Sequence, residues 1–585
     1  LDSLTNDFKV DHRKLTELVD FDNINVNNYN RHDIEVQQRV YCKYDVIGLL
    51  EVMIKFRDAV YEFTGLNISD CYTGASLSKK HYFKNHYDMR KTPIYKFNRK
   101  LDSYIRDSYC GGRNEAHYIG KYDHKVYYYD FTSLYPSEGR LQLPYGKPTP
   151  ISQEKIDYFN QVKNFKHIPY GFYRVKVKTK NIKSDDIPLH AEKNTRLLFS
   201  KYADAKTLTL FSEEIKYGYQ LGMYDYELID GYSFQKERFM KKFFNTGFEN
   251  KNQAKKNDQD ALAYVWKIII NSGYGFWGLN TMGKDKKGRD GVKITKTNDG
   301  DFWSLLDQEK LVNIGNYGGY TIVRKLEELS VKDFSVAVAS AITSYSRMKL
   351  YKLLKTIKDA GERVLYLDTD SVITTMKLCD HKDVIKKFDW DKENDCRSNG
   401  DNLGTLKNEA DDDVQKYFKK KYPKDWHTHF MKQKKLDSGE FHFDCFIGAG
   451  CKQYGLQKTL YDGGVIETCK LKGYKSKGKE GTPLKFKNMD DLMTGFYKEI
   501  QIREENKDLN PKQLKQLIKE ELKDLLIVQN QIQFLCPLSS HISENEKMEV
   551  TKNTIEKWFR VGYSKGKILD DGSVIPLVWQ NGQFN

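Results

Sequence analysis

The chain has 585 residues and carries 96 Lys and Arg against 81 Asp and Glu, a formal net charge of +15 with a pI near 9.0. This excess favours a polyanionic partner, although charge alone does not separate a nucleic-acid-binding protein from a basic housekeeping protein. A hydrophobic content of 39% excludes disorder over most of the chain, despite a mean hydropathy of −0.71. No apolar stretch reaches the roughly 20 residues of a membrane span, so no membrane partner is expected.

The cysteine and histidine patterns contain no recognisable metal-binding motif. Nine cysteines are scattered from Cys42 to Cys536 without a CxxC pair, which excludes a zinc ribbon and a disulfide framework. This usage is typical of a reducing compartment. His427 and His429 fall in a Lys-rich segment that is predicted to be a loop without cysteine ligands, and we interpret them as surface residues.

Apolar spacing predicts the elements of the first half of the chain. An amphipathic helix is expected from about Asp33 to Phe56, followed by a strand over Val126–Phe131 and a second strand over Gly171–Val177. A long helix is expected from about Asp258 to Asn271, where nearby glycines interrupt the pattern.

The second half begins with a change of pattern. Short alternating segments between 278 and about 328 predict a β-rich insertion, and a helix is expected over Ser335–Ile357. Residues 363–375 read as a hairpin with Asp-Thr-Asp at its turn. The Lys-rich, aromatic stretch 416–435 fits either an electrostatic groove with stacking side chains or a solvated basic face. A helix is expected around 510–531.

Three aspartates stand where predicted strands end. Asp130 closes the first strand, and Asp368 and Asp370 lie in the predicted hairpin turn. Carboxylates from neighbouring strands can bridge two divalent ions roughly 3.5 to 4 Å apart, as two-metal nucleotidyl transfer requires. One aspartate alone would be interpreted as a turn residue, so the hypothesis depends on the group.

The helix predicted at 258–271 carries a polar stripe. Lys267, Asn271 and Tyr274 stand at positions 0, +4 and +7 and therefore share one face. A lysine there would neutralise a triphosphate, and a tyrosine ring would pack against a base pair. Lys255 and Lys256, about three turns earlier, would add phosphate contacts, although lysine pairs are also common on exposed helix starts.

Three runs resemble the motifs of family B DNA polymerases in order and wording. They read DFTSLYP at 130–136, KIIINSGYG at 267–275 and YLDTDS at 366–371. The resemblance implies a DNA-directed DNA polymerase that adds a dNMP to a 3′-hydroxyl and releases pyrophosphate. A reverse transcriptase is a weaker alternative, because the hairpin reads Asp-Thr-Asp and occurs together with a helix motif of family B. A decayed DNA-binding remnant remains an alternative, although the polymerase carboxylates are present.

The resemblance also implies roles for single residues. Asp130 and Asp370 would hold two Mg²⁺ ions, or Mn²⁺ in their place, with help from the carbonyl of Phe131, and Asp368 would be the third catalytic carboxylate. Tyr135 would be the steric gate that rejects a ribose 2′-hydroxyl. The implied nucleotide-binding residues are Ser133, Leu134, Tyr135, Lys255, Lys267, Asn271 and Tyr274.

Further short matches extend the resemblance along the chain. YCGG at 109–112 resembles the YxGG element, which joins the exonuclease and polymerase modules and contacts template DNA. KQY at 452–454 resembles the KxY motif that holds the primer terminus, and LGTLK at 403–407 resembles the segment upstream of it. The expected contacts to template-primer DNA are Tyr109, Gly111, Gly112, Thr369, Lys452, Tyr454, Lys470 and Lys472.

The YxGG form and compact length most resemble the protein-primed branch of family B. That branch replicates linear plasmids and viral genomes, which implies a terminal protein as partner besides DNA and dNTPs. Two insertions of this branch would fall at about 180–245 and 278–330, where structural loops without that role are an alternative. An ordinary nucleic-acid-primed family B polymerase is the second alternative.

The start of the chain resembles part of a 3′-5′ exonuclease. Tyr41 and Asp45 match its YxxxD motif, but the only upstream DxE, at Asp33–Glu35, is too close and opens the same predicted helix. Either the chain is a fragment or proofreading has been lost, and the absence of an initiating Met at Leu1 favours a fragment.

The resemblance implies an α+β right-hand polymerase with palm, fingers and thumb, preceded by the carboxy-terminal remnant of a ribonuclease H-like exonuclease domain. The sequence does not determine the compartment, although its abundance of Lys, Asn and Tyr suggests an AT-rich genome, as in a mitochondrial linear plasmid or a virus. The expected regions are exonuclease 1–100, palm with first insertion 101–245, fingers 246–277, second insertion 278–330, palm 331–460 and thumb 461–585.

Overall fold

The computed structural model describes most of the chain. Among the described residues, no helix is long and apolar enough to cross a membrane. The described residues are 4–5, 8–13, 15, 18, 31–71, 73–182, 186–193, 196–279, 292–296, 311–317, 320–326, 334–381, 402–472, 484–522, 533–535, 551–553 and 561–585.

Helices and strands alternate along the described residues. The helices are α1 (His32–Thr64), α2 (Gly74–Asn85), α3 (Arg99–Ser108), α4 (Leu134–Glu138), α5 (Gln153–Val162), α6 (Ser212–Gln220), α7 (Lys241–Lys256), α8 (Asp260–Asn271), α9 (Val336–Asp359), α10 (Glu409–Lys421), α11 (Trp426–Leu436), α12 (Phe486–Glu505) and α13 (Pro511–Glu521).

The strands are mostly short and fall in several small sheets. They are β1 (Asn114–Ala116), β2 (Gly120–Tyr122), β3 (Tyr127–Phe131), β4 (Leu143–Pro150), β5 (Gly171–Thr179), β6 (Ala191–Lys193), β7 (Leu197–Phe199), β8 (Lys201–Tyr202), β9 (Lys206–Phe211), β10 (Tyr224–Glu237), β11 (Val292–Lys296), β12 (Leu311–Tyr317), β13 (Tyr320–Leu326), β14 (Val364–Asp368), β15 (Ser371–Thr374), β16 (Leu406–Asn408), β17 (Cys445–Gly450), β18 (Gln453–Thr459), β19 (Val465–Leu471), β20 (Gln533–Leu535), β21 (Thr551–Asn553), β22 (Gly566–Ile568), β23 (Val574–Pro576), β24 (Val578–Gln580) and β25 (Gln583–Phe584).

The chain divides into two compact units, each built from segments that are distant in sequence. Neither unit therefore corresponds to one continuous stretch of chain. The first unit comprises Leu1–Ser103, Ala254–Val336 and Gln531–Ile555, and the second comprises Tyr104–Gln253, Ala337–Asn530 and Glu556–Asn585.

The first unit contains α1, α2 and α8. The helix α1 runs two turns beyond its predicted end, because nothing interrupts it until Gly65, whose φ of +64° and N–H bond to the carbonyl of Tyr61 close the last turn. The buried side of α8 faces α2, where the hydroxyl of Ser78 donates to the carbonyl of Ile269 at 2.7 Å. The predicted β-rich insertion contains the three-stranded antiparallel sheet β11-β13-β12.

The second unit is organised around a five-stranded sheet in the order β1-β14-β15-β3-β16. Residues alternate along β3, so Tyr127, Tyr129 and Phe131 are buried on one face while Asp130 lies on the other. The buried face packs on the apolar side of α9, including Leu350 and its neighbours. The sheet therefore has a core on one face and polar side chains on the other.

Two further sheets complete the second unit. One has the order β4-β10-β5-β9, and the other has the order β19-β18-β17-β2. The predicted strand at 171–177 is β5, whose nine residues pair with both β10 and β9. The last strands of the chain belong to the second unit, where β24 pairs in parallel with β8.

Most predicted elements are confirmed, with differences at their ends. The hairpin is β14–β15, and the helix expected over 335–357 is α9. The helix expected around 510–531 ends at Glu521 as α13, and its predicted end lies outside the described residues. The expected thumb boundary at residue 460 falls in the turn between β18 and β19, which belong to one sheet.

The prediction of a loop around His427 was wrong. Both His427 and His429 lie on α11, and the ring of His429 stacks on Tyr422 with centroids 3.8 Å apart. Among the described residues, no group of three or more His, Cys, Asp or Glu side chains forms a metal-binding cluster, so these histidines are not assigned to a metal.

Candidate active site

Asp130 and Asp370 come together through the register of the central sheet. Asp130 on β3 pairs with Ser371 on β15, and Asp370 occupies the turn directly before that serine. The N–H of Phe131 donates to the carbonyl of Asp370 at 2.8 Å, which fixes the turn against β3. The two aspartates that stand 240 positions apart in sequence are therefore neighbours on one face.

Burial and mutual repulsion shape the titration of this pair. Burial, followed by the charge of Asp370, raises the pKa of Asp130 far above its ordinary value. Burial also raises the pKa of Asp370, to which Asp368 and Glu409 add repulsion. Two buried carboxylates in this state are stabilised by a proton or by a cation.

The donor set fits a divalent cation. Hard carboxylate oxygens are the ligands that Mg²⁺ prefers, and a cation beside Asp130 and Asp370 would remove the repulsion that raises their pKa values. Mg²⁺ usually takes one or two carboxylates and keeps water or phosphate oxygens as its other ligands. Among the described residues, no group of three or more His, Cys, Asp or Glu side chains is placed to hold a metal ion. A site with two carboxylates is compatible with the preference of Mg²⁺.

Asp368 has different partners from the other two aspartates. Its carboxylate accepts from Nζ of Lys452 at 3.2 Å on both oxygens and from Nδ2 of Asn114 at 2.6 Å. Asn114 lies on β1, which pairs with β14. Asp368 therefore links the motif at 366–371 to the KxY element.

The KxY element sits on the β17–β18 hairpin. The N–H of Lys452 donates to the hydroxyl of Tyr366 at 2.7 Å, and the hydroxyls of Tyr454 and Tyr128 lie 3.3 Å apart. Lys470 on β19 pairs directly with Tyr454, and the N–H of Lys472 donates to the carbonyl of Lys452 at 3.0 Å. The lysines predicted downstream of KxY therefore lie beside it.

The YxGG loop meets both carboxylate motifs. A Cβ built on Gly112 would lie 2.7 Å from the hydroxyl of Tyr135 and 2.6 Å from Cγ2 of Thr369, so only glycine fits there. The N–H of Thr369 donates to the carbonyl of Arg113 at 2.7 Å. Gly111 has open space at the equivalent position.

A buried ion pair that sequence reasoning missed supports this loop. Arg347 on α9 donates to the carbonyls of Cys110 and Gly111 at 2.6 and 3.3 Å, and its second nitrogen lies 2.8 Å from Glu214. Both charged side chains are buried. The helix α9 also carries four lysines, so nothing in the sequence marked Arg347 as the buried cation. On the other side of the loop, Nζ of Lys193 lies 5.8 Å from the ring centroid of Tyr109.

Three non-glycine residues of the site have left-handed backbone conformations. The φ angles are +52° at Ser133, +65° at Thr369 and +58° at Lys452. Such conformations cost roughly 1 to 3 kcal/mol each and concentrate at functional sites. Each of these residues therefore marks a turn that the surrounding contacts hold in place.

The residues of the DFTSLYP run differ in exposure. Tyr135 and Ser133 are half-buried, while Leu134 is 1% exposed and belongs to the core beneath the sheet. The side chain of Leu134 is therefore directed away from any nucleotide, and only its backbone remains for the predicted contact.

The strand β16 brings two more charged residues to the carboxylates. Lys407 pairs with Asp130 across β16 and β3. Glu409 begins α10, and burial raises its pKa. Sequence reasoning included Lys407 only as part of the LGTLK segment and missed Glu409, since a lone glutamate at a helix start carries no specific signal.

The polar stripe on α8 is exposed as predicted. Lys267 and Asn271 are exposed, whereas Trp266, Ile269 and Ile270 are buried on the opposite side. Tyr264 is also exposed, at three positions before Lys267, and sequence reasoning missed it. Tyr274 follows the end of the helix and is half-buried.

Lys255 is not on the same helix as Lys267. It lies in the last turn of α7, and residues 257–259 separate α7 from α8. The helix predicted from about Asp258 to Asn271 is α8, and Lys255 lies before it, as its position in the sequence indicates.

The exonuclease-like motif lies on α1. Tyr41 and Asp45 are one turn apart and both half-buried, and Oδ1 of Asp45 is buried without a hydrogen-bond partner in the described structure. The nearby acids are engaged elsewhere, since Asp33 pairs with Arg31 and Glu35 pairs with Arg39.

Comparison with known families decides the membership of the chain. The family described as DNA polymerase type B, organellar and viral, matches residues 4–360. The chain belongs to this family. The resemblance inferred from the three motifs is thus confirmed.

Similar proteins come from fungi. A probable DNA polymerase of Neurospora intermedia is 27% identical over 458 residues, which cover 77% of this chain and 40% of that protein. A probable DNA polymerase of Podospora anserina is 25% identical over 376 residues, which cover 60% of this chain and 29% of that protein. The chain thus spans less than half the length of these relatives.

The fold is similar to solved structures of Phi29 DNA polymerase. The structure of that enzyme with primer-template DNA and incoming nucleotide substrates has a TM-score of 0.53 and 18% identity, over 83% of this chain and 72% of that chain. An orthorhombic crystal form of the same enzyme gives a TM-score of 0.54. The mixed α/β fold is therefore that of a Phi29-like polymerase.

Proposed function

We propose that the chain is a DNA-directed DNA polymerase that adds dNMP units to a 3′-hydroxyl on a template. The observation that carries this proposal is the pairing of Asp130 with the Asp370 turn across adjacent strands, in a family whose name is DNA polymerase. The link from Asp368 to Lys452 places the KxY element beside the same turn.

Asp130 and Asp370, with the carbonyl of Phe131, would hold two Mg²⁺ ions, for which Mn²⁺ can substitute. When bound, such ions supply an acidified primer hydroxyl and charge stabilisation for the leaving pyrophosphate. The chain itself contributes the buried, closely placed carboxylates, whose pKa values are raised because burial and mutual repulsion disfavour their charged forms. Asp368 acts through Lys452 as a positioning residue.

The exposed face of α8 would bind the nucleotide. Lys267 would neutralise the triphosphate and Asn271 and Tyr274 would lie along it, with Lys255 as a separate phosphate contact from α7. Tyr135 would pack against the sugar and exclude a 2′-hydroxyl, and Ser133 and Leu134 would contribute their backbone. Gly112 and Thr369 limit where the Tyr135 hydroxyl can lie.

The template-primer duplex would be held mainly through its phosphates. Lys452 and Tyr454 would hold the primer terminus, and the neighbouring Lys470 and Lys472 would extend the contact along the backbone. Tyr109 and Gly111 in the YxGG loop would contact the template strand. Such contacts read no base sequence, as a replicative enzyme requires.

The family resemblance supports a division into palm, fingers, thumb and an exonuclease remnant. The central five-stranded sheet would be the palm, α8 part of the fingers, and α12 with the following residues the thumb. The sheet β11–β13 and the segment carrying β6–β10 would be the two insertions. The half-buried Tyr41–Asp45 pair on α1 would be what this chain retains of the exonuclease.

The first experiment measures dNTP incorporation on a primed template with Mg²⁺ or Mn²⁺. Asp130→Asn and Asp370→Asn should each lower the rate by roughly 10³-fold, which corresponds to several kcal/mol of transition-state stabilisation. Asp157→Asn, on the exposed face of α5, is the matched control and should leave the rate unchanged. Activity that survives both active-site changes would overturn the proposal.

We further propose initiation on the hydroxyl of a terminal protein, because the family is organellar and viral and the fold is Phi29-like. The protein is incubated with a candidate terminal protein and labelled dATP, without a DNA primer. A nucleotide–protein adduct that disappears in Asp370→Asn supports protein priming. Extension of primed DNA without any such adduct would favour the nucleic-acid-primed alternative.

A further inference from the structure

A strongly basic surface lies outside the site described above. The helices α10 and α11 with their connection, residues 409–436, form what we call the basic helix pair. Between residues 416 and 435 there is one acidic residue, Asp425, against eight lysines. These are Lys416, Lys419, Lys420, Lys421, Lys424, Lys432, Lys434 and Lys435.

The basic helix pair is fastened to the hairpin that carries KxY. Asp462, in the β18–β19 turn, accepts from Nζ of Lys421 at 2.9 Å and from the hydroxyl of Tyr422 at 3.1 Å. Nζ of Lys432 lies 4.0 Å above the ring of Tyr461, the neighbour of Asp462. Lys421, Tyr422 and Lys432 thus join the helices to the hairpin, and the other lysines remain for the outer surface.

Two elements run from the neighbourhood of the catalytic carboxylates to this surface, and their lengths give its approximate distance from the carboxylates. The helix α10 begins at Glu409, whose charge raises the pKa of Asp130, and its 13 residues reach Lys421. At 1.5 Å per residue this is about 18 Å. The strand β18 runs from beside Lys452 to Thr459, about 20 Å away. Both elements end at the β18–β19 turn, because β18 leads into it and the last residue of α10, Lys421, contacts Asp462 there.

The helix dipole accounts for only some of these lysines. Cations in the last turn of a helix are favoured, which explains Lys419 to Lys421 on α10 and Lys434 and Lys435 on α11. Lys416, Lys424 and Lys432 lie outside the last turns. Lys420, Lys424 and Lys435 are all exposed, so their charges are available to a partner.

We propose that the basic helix pair binds the sugar-phosphate backbone of the primer-template duplex about five base pairs from the primer terminus. The proposal rests on the polymerase function proposed above. Duplex DNA rises about 3.4 Å per base pair, so a separation of about 18 Å corresponds to about five pairs. A polyanion with regularly spaced charges matches a lysine surface that offers no base-specific contact. Asp462 fixes the position of this surface relative to the hairpin that carries KxY.

The experiment compares two triple variants of equal charge change. The test variant carries Lys420→Gln, Lys424→Gln and Lys435→Gln. The control variant carries Lys155→Gln, Lys166→Gln and Lys178→Gln, which are exposed residues outside α10, α11 and the KxY sheet. Equilibrium binding is measured by fluorescence anisotropy on primer-templates with duplexes of about 4, 8 and 16 base pairs at several salt concentrations.

The wild type should bind the two longer duplexes more tightly than the shortest one, and the test variant should lose this gain. On the longer duplexes, the slope of log Kd against log salt should fall by about three in the test variant, one unit for each lost phosphate contact. The control variant should keep the length dependence of the wild type. Primer extension by the test variant should need a higher concentration of the longer duplexes to reach its half-maximal rate, whereas the control variant should resemble the wild type.

Equal effects of the two triple variants would overturn the proposal, because net charge alone would then explain binding. A test-variant defect that depends on the length of the single-stranded template, and not of the duplex, would also overturn it. Failure of the wild type to extend any primer would instead contradict the proposed polymerase function. The two proposals therefore fail through different measurements.

Discussion

Nζ of Lys452 lies 3.2 Å from both carboxylate oxygens of Asp368, and this contact joins the KxY hairpin to the turn that carries Asp370. Asn114 donates to the same carboxylate from the neighbouring strand. Asp368 thus contacts a lysine and an amide, whereas burial and repulsion raise the pKa values of Asp130 and Asp370. The three aspartates therefore have two different kinds of surroundings.

The Lys452–Asp368 pair can be tested by a double-mutant cycle. Lys452→Gln and Asp368→Asn should each lower kcat/KM for primed DNA, and the double variant should cost less than the sum. The side chains are 56% and 24% exposed, so a coupling of about 0.5 to 1 kcal/mol is expected, or about two- to fivefold. Strict additivity would contradict a direct link between the two side chains.

Gly112→Ala should impair both activity and sugar selection. The added Cβ would meet the hydroxyl of Tyr135 and the side chain of Thr369 at less than 3 Å, so one of them must move. We expect reduced dNTP incorporation and a smaller preference for dNTP over rNTP, measured as the ratio of kcat/KM values.

The matched control for this change is Gly111→Ala, where the added Cβ meets nothing within 4 Å. This variant should keep the sugar preference of the wild type. Adding Tyr135→Phe to Gly112→Ala removes the closest Tyr135 atom and should restore part of the lost incorporation. Equal effects at the two glycines would contradict the steric explanation.

Stability should depend on pH through the carboxylate pair. The folded pKa values of Asp130 and Asp370 are raised above 3.8, so their contribution to stability is full below that value and is lost as pH rises through the folded pKa values. A cation replaces the lost protons. The increase in Tm caused by Mg²⁺ should therefore be larger at about pH 8 than at about pH 5.

This dependence is measured by thermal unfolding with Mg²⁺ or with EDTA at each pH. Asp370→Asn should raise the Tm of the metal-free protein at the higher pH, because it removes the buried carboxylate of the pair that is ionised there. The same variant should show a smaller Mg²⁺ effect. A Mg²⁺ effect that is equal at both pH values would count against the carboxylate pair as the binding site.

The buried pair Arg347–Glu214 should be a major contributor to stability when one partner is removed. Arg347→Met leaves a buried carboxylate unpaired, and a loss of about 3 to 5 kcal/mol in the free energy of unfolding is expected. The exposed pair Lys176–Glu227 is the control, and Lys176→Met should cost at most about 1 kcal/mol. Chemical denaturation distinguishes these values, and similar losses at both pairs would contradict the assignment.

Local patterns predicted much of the fold. The alternation of Tyr127 to Phe131 indicated a strand with Asp130 on its polar face, and the Asp-Thr-Asp turn indicated a hairpin. The stripe of Lys267 and Asn271 indicated an exposed helix face. These predictions succeeded because backbone periodicity alone determines which side chains share a face.

Other parts of the site could not be predicted, because they depend on contacts between distant segments. Glu409 affects Asp130 only because β16 pairs with β3, and Arg347 reaches the YxGG loop only because α9 lies beneath it. The burial of Leu134 was also invisible in a motif that reads as one functional unit. Spacing in sequence carries no information about such approaches.

The sequence by itself determined the chemistry that the chain can offer: the order of the three motifs, the acidic residues in them and the excess of positive charge. Only the tertiary structure decided the surroundings of the three carboxylates, since Asp368 contacts Lys452 and Asn114 while Asp130 and Asp370 repel each other. The physical reason is that charge, burial and pKa depend on distance in space, which strand pairing sets between residues hundreds of positions apart.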